Sequence, residues 1–200
     1  MTAHADRPRM RAAGRAVAAT GIVLCLVTAA AAGEVADKAA EAEALLQSGE
    51  AAPAFEALSA AVDSFWTSAP LTIKQAYFVT GGEDGGKFSP RPDGPFRSGE
   101  TARVHLEPLG YGFREDSGIF RIVLATSIEI RTPGGLILAK TEDFGRLEWA
   151  GRAKSRTFNG RVGIDLPDLK AGDYELLVTV SDGATQKTAS VTLPFSVAAN

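Results

Sequence analysis

The sequence predicts a mainly β protein: an antiparallel sandwich of seven strands, preceded by a short helical hairpin. Three observations carry this. Seven segments downstream of residue 68 alternate apolar and polar residues, turn-forming residues separate them, and the stretch from Glu34 to Ser68 instead spaces its apolar residues with the period of a helix. The chain divides accordingly into a leader over 1–33, a helical hairpin over 34–68 and a β-domain over 69–200.

The leader carries Arg7, Arg9, Arg11 and Arg15, then the apolar run "AVAATGIVLCLVTAAAA" from Ala16 to Ala32, then "GEVADK". A basic start, an apolar middle and a small-residue end make a secretory signal peptide, with cleavage expected near Ala32 or Gly33. The alternative is an uncleaved anchor, because the run of 17 residues reaches the lower limit of roughly 17 to 25 that a spanning helix needs. Ten of the 17 are Ala, Gly or Thr, which makes the run weakly hydrophobic and favours removal. Cys25, the one cysteine, follows Leu24 rather than a small residue, so lipidation is not expected and the mature chain has no thiol. Such a domain must be held by its core alone, which fits a bacterial periplasm better than a disulfide-framework protein. The expected location is therefore periplasmic or secreted, with membrane contact only through a retained leader.

From Val35 to Trp66 the chain is Ala-rich, interrupted by "SGE" at Ser48–Glu50 and followed by Pro53, the punctuation of two helices. Phe55, Leu58, Val62 and Phe65 recur at spacings of three, four and three, forming one apolar stripe expected to dock on the β-domain or on a partner. The segment "EALLQSGEAAPAFEALSAAV" resembles a single tetratricopeptide-type hairpin, a unit that cannot bury its own face alone.

The β-domain alternates most clearly in "IFRIVLATSIEI", where Phe120, Ile122, Leu124, Thr126, Ile128 and Ile130 share one face. "ETARVHLE", "TFNGRVGIDL", "YELLVTV" and "TASVTLPFSV" repeat the pattern, and "TIKQAYFVT" with "LILAKTED" completes seven strands. Turn signals stand at "TPGG", "AGD" and "SDGATQ". Seven short alternating strands indicate an immunoglobulin-like or fibronectin-like sandwich, with a small closed barrel as the main alternative. In "LKAGDYELLVTVSD", Tyr174 opens a late strand just after a tight turn, where a tyrosine corner would return its hydroxyl to nearby backbone. There is no cysteine pair, and Leu176 stands where an antibody-type domain would place one of the two.

Removing the leader takes away four Arg and one Asp, leaving 17 basic and 23 acidic residues and a mature charge of about −6. No positive stripe serves a phosphate backbone, so nucleic acid is not an expected partner. For nucleophilic catalysis the mature chain offers a single histidine, His105, which alternation places on the solvent face with Arg103 and Glu107, and it has no G-x-S-x-G elbow. Carboxylates such as Glu100, Glu107, Asp165 and Asp173 are numerous, but acidic residues near turns are ordinarily solubilising. Neither "DLPDLKAGD" nor "GEDGG" has the spacing of a helical calcium loop, and one histidine without cysteine makes no zinc cluster. No catalytic, cofactor or metal residue is assigned, and the chain is not expected to be an enzyme.

The most distinctive stretch is "GKFSPRPDGPFRSGETARVHLEPLGYGF", Gly86–Phe113. Aromatic and Arg side chains on Pro-stiffened loops are what binding hot spots favour, which makes Phe88, Arg91, Phe96, Arg97, Tyr111 and Phe113 the candidate binding surface. The alternative is that the aromatics plug the end of the sandwich. Arg91, held between Pro90 and Pro92, is expected either to project its guanidinium to a partner or to pin the loop by pairing with Asp93 or Glu107.

The succession "FWTSAPLTIKQAYFV", "FSPRPDGPFRSGETARVHLEPLGYGF" and "LPDLKAGDYELLVTVSDGATQKTASVTLPFSV" resembles a group of uncharacterised exported bacterial proteins, with a helical lead-in and an immunoglobulin-like domain. That resemblance implies fold and compartment and carries over no functional residue. The functional expectation is a non-catalytic exported binding or scaffolding module with a protein or cell-envelope partner. Two alternatives stand beside it: a carbohydrate-binding or carbohydrate-active domain stacking sugars on Tyr111, Trp149 and the loop phenylalanines, and a structural subunit of a cell-surface assembly using an open strand edge.

Overall fold

A computed structural model describes residues 26–81 and 88–199; residues 1–25, which hold most of the expected leader, the segment 82–87 and Asn200 lie outside the described residues. Strands hold about twice as many of the described residues as helices, so the protein is mainly β. Two helices come first, α1 (Leu26–Gln47) and α2 (Ala51–Ser68). Among the described residues no helix is long and apolar enough to cross a membrane. The break between the helices is made by Gly49 at φ 86°, which lets the Glu50 N–H return to the Leu45 carbonyl at 2.9 Å. Ala42, Ala54 and Ala61 are buried, and Lys38 bonds Ser64 across the pair at 3.0 Å.

Of the two dockings expected for the α2 stripe, on the β-domain or on a partner, the structure corrects the first: Phe55, Leu58, Val62 and Phe65 are all exposed. The hairpin is fastened instead at the C-terminal end of α2. The Trp66 indole N–H donates to the Tyr111 carbonyl at 2.7 Å, and the Lys187 ammonium donates to the carbonyls of Thr67 and Ala69 at 2.8 and 2.6 Å. A cation on the last carbonyls of a helix satisfies acceptors that have no partner within the helix. Asp63 adds ion pairs with Arg156 and Lys154.

Among the described residues nine strands follow: β1 (Thr72–Gly81), β2 (Phe88–Pro90), β3 (Thr101–Leu109), β4 (Arg114–Asp116), β5 (Ile119–Arg131), β6 (Ile137–Gly151), β7 (Gly160–Asp165), β8 (Gly172–Asp182) and β9 (Thr188–Val197). All seven expected strands are present. β2 and β4, of three residues each, are additional, being too short to register as alternation. β6 continues well past the expected "LILAKTED", through a register shift near Asp143, whose φ is 49°.

The strands form two antiparallel sheets, one in the order β2-β1-β3-β7 and one in the order β4-β5-β8-β9 with β6 also on β5. Since β4 and β6 both pair with Phe120, they flank β5 on opposite edges. The alternating residues of both sheets meet in one core, where Val104, Leu106, Ile122, Leu124, Leu176, Val178 and Val180 are fully buried. Tyr174 closes the core near the start of β8, its hydroxyl donating to the Lys170 carbonyl at 2.8 Å.

Candidate functional site

The candidate residues do not assemble into one exposed surface. Phe96 is 2% exposed and Tyr111 1%, so both belong to the core. They also sit far apart. Phe96 bonds the backbone of Ser196, which pairs with Asp173 at the start of β8, whereas Gly112 beside Tyr111 bonds Asp182 at its end. Nine residues of strand separate those points, roughly 30 Å.

Around Tyr111 the aromatics plug the domain end that faces α2. Its ring meets Trp66, Phe113 and Phe158 edge-on at 5.0, 5.6 and 5.9 Å, and Phe113 continues to Phe120 at 6.5 Å. The Tyr111 hydroxyl donates to the Ser155 carbonyl at 2.8 Å and accepts from the Phe158 N–H at 3.2 Å. Burial raises its pKa above the ordinary tyrosine value, with the Phe158 bond acting in the opposite sense. Beneath it, Asp182 is 2% exposed and accepts three bonds, from the N–H groups of Gly112 (2.6 Å) and Ala184 (2.8 Å) and from the Thr185 hydroxyl (2.5 Å). This carboxylate ties the 110–113 segment to the turn between β8 and β9.

At the other end Arg91 works as a clamp. Its guanidinium lies 3.8 Å from the centroid of the Phe96 ring and donates to the carbonyls of Gly94 at 2.9 Å and Pro95 at 3.2 Å. Its acidic partner is Glu100 at 3.3 Å, rather than the expected Asp93 or Glu107. The loop turns back on itself after Pro92, which brings Glu100 to the arginine. Glu100 also accepts from the Arg97 backbone N–H at 2.9 Å, while the Arg97 side chain is exposed. Phe88 pairs with Gly81 through β2, and its side chain lies outside the described residues.

His105 is corrected as well: it is 2% exposed, not solvent-facing. It does stand on the outer face of β3, but the Tyr77 ring from β1 covers it at 5.0 Å and Glu107 meets its Nε2 at 3.4 Å. Hydrogen bonds from Lys74 and then from His105 hold the Glu107 carboxyl below the usual range.

What the structure does build is a groove of about 890 Å³ between β1 and β9, with the Arg91 loop as one wall. Tyr77, Phe78, Pro92, Tyr174, Pro194 and Phe195 supply its apolar lining, and Asp93, Asp173 and Glu175 are among its polar groups. β1 pairs with β2 only from Val79 onward, the Arg91 N–H takes the Phe78 carbonyl at 2.8 Å, and before Phe78 no described strand occupies that edge of β1. On β9 the Ser196 carbonyl accepts from Phe96 outside the sheet; by alternation Pro194 faces the same way and offers no N–H there. The sequence signal for this edge was the proline inside the last strand, but the strand opposite it could not be read from the chain.

Among the described residues no group of three His, Asp or Glu side chains is placed to hold a metal ion. No protein-family model matches the chain, and no curated protein matches it. Among solved structures, the Pseudomonas fluorescens alkylpurine DNA glycosylase AlkC bound to DNA containing an abasic site analog is similar over 77% of this chain, at 13% identity and a TM-score of 0.36. The present chain spans 40% of that chain's length.

Proposed function

We propose that the chain is a non-catalytic binding module of an exported protein, with an immunoglobulin- or fibronectin-like sandwich whose β1–β9 groove takes an extended polypeptide segment. The observation that carries this reading is the groove itself: an aromatic and proline-lined trough beside the β1 edge, which before Phe78 has no described strand as neighbour. An extended segment would add to β1 through main-chain hydrogen bonds, with side chains seated on Tyr77, Phe78 and Phe195. Pro194 would keep the segment from closing on β9 in the same way.

The sandwich reading rests on strand order. Of the seven long strands, the first, second and fifth make one sheet, and the fourth, third, sixth and seventh the other. This differs from the immunoglobulin constant arrangement only in the fourth strand, which there joins the fifth. The Tyr174–Lys170 bond supports it further, standing at the start of the sixth long strand, where a tyrosine corner belongs. The carbohydrate alternative is the weaker one, because Tyr111 and Phe96 are buried and Trp149 folds back over Gly151.

Photo-crosslinking in an exporting host tests the reading, with the reactive residue placed at Gln75 or Pro194 in the groove and at Glu148, an exposed position on β6. A discrete adduct from both groove positions and none from Glu148 is expected. No groove adduct, or the same adduct from all three positions, would overturn it.

A further inference from the structure

We infer that the helical hairpin is a second docking surface, built for a cationic amphipathic helix. This rests on different residues from the groove and does not depend on it. Phe55, Leu58, Val62 and Phe65 are 72%, 49%, 40% and 60% exposed, and Leu46 at the end of α1 is 62% exposed. The four on α2 fall on one side of the helix and extend over ten residues, about 15 Å. The β-domain leaves this line uncovered, since α2 is fastened through Trp66, Asp63 and its terminal carbonyls. A contiguous set of large apolar side chains held open on a fastened helix is the mark of an interaction site.

Charge selects the occupant. Residues 34–68 contain seven carboxylates and one lysine, a net charge of −6, whereas residues 69–200 hold 16 basic and 16 acidic residues. The whole charge of the mature chain therefore resides on the hairpin. Lys38, its one cation, is already engaged with Glu34 at 2.8 Å. A second copy would bring two such hairpins together, and an anionic bilayer would be repelled. A helix with an apolar stripe flanked by Lys or Arg answers both features, since its stripe can lie along α2 while the hairpin's net negative charge attracts its cations. Three turns of such a helix match the length of the exposed line.

The test uses the full chain and an 18-residue amphipathic helix of Leu and Lys, with the same peptide in Leu and Glu as the control, followed by fluorescence anisotropy. The Lys peptide is expected to bind and the Glu peptide not to. Affinity should fall tenfold or more in Phe55→Ser and in Leu58→Ser, fall on raising salt, and weaken in Glu56→Lys, which leaves the stripe intact. Because these side chains are exposed, the variants should keep the wild-type circular dichroism, and Pro194→Trp in the groove should bind as wild type. Equal binding of the two peptides, or wild-type affinity in the stripe variants, overturns the inference. So does a sedimentation dimer that Phe55→Ser dissociates, or stripe-dependent binding to phosphatidylglycerol vesicles, since each would name a different occupant.

Discussion

Replacing Arg91 by alanine removes a side chain that makes three kinds of contact at once. The guanidinium over Phe96, 3.8 Å from its centroid, contributes about 1 kcal/mol as a partly screened cation–π pair. The bonds to the Gly94 and Pro95 carbonyls add ~0.5 kcal/mol each, at the low end because these exposed carbonyls regain water. The Glu100 pair, with the arginine side chain 16% exposed and the glutamate 35%, adds roughly 0.5 kcal/mol. Arg91→Ala should therefore lose about 2 to 3 kcal/mol, and at a mid-range slope of about 2 kcal/mol per molar its urea midpoint should fall by ~1 to 1.5 M. Arg91→Lys keeps the charge without the fork and should lose about half as much. Equilibrium urea unfolding followed by tryptophan fluorescence measures both. A loss under about 0.5 kcal/mol in Arg91→Ala, with the slope unchanged, would refute the clamp and return Arg91 to the role of a free ligand-binding group.

Asp182→Asn should cost about 2 to 4 kcal/mol, because both carboxylate oxygens accept backbone N–H bonds and either amide orientation sets an NH₂ against one of those donors; a urea midpoint equal to wild type would contradict this. Tyr174→Phe should lower stability by ~0.5 to 1.5 kcal/mol, the worth of one hydroxyl bond, and leave crosslinking at the groove unchanged. The Tyr111 pKa is raised in the folded state, so its contribution is complete below the unfolded tyrosine value of about 10 and is lost as pH rises beyond it. Thermal unfolding across that range should decline more steeply in wild type than in Tyr111→Phe, and parallel declines would count against it. N-terminal sequencing of the exported chain should begin near Gly33 or Glu34; a chain that retains Arg15 would replace the signal peptide with an anchor.

The strands and helices were legible because their signals are local. Alternation from Phe120 to Ile130 marks β5 whatever lies opposite, and Gly49 ends α1 by its own backbone freedom. The same local logic marked Tyr174 as a corner residue, since its partner Lys170 is four positions away. It failed wherever the answer depended on residues distant in sequence. Alternation correctly put His105 on the outer face of β3, but its burial comes from Tyr77 on the neighbouring strand, and composition could not separate Phe96 and Tyr111, which one loop-rich stretch sends to opposite ends of the domain. The α2 stripe could be read as apolar, yet its exposure was decided by where Trp66 and Lys187 fasten the helix. The groove exists only because β1 and β9, over a hundred residues apart, present facing edges in two different sheets. A sequence determines which face of each element is apolar; which faces and edges remain uncovered is a property of how the elements meet, and the binding surfaces proposed for this protein are of that second kind.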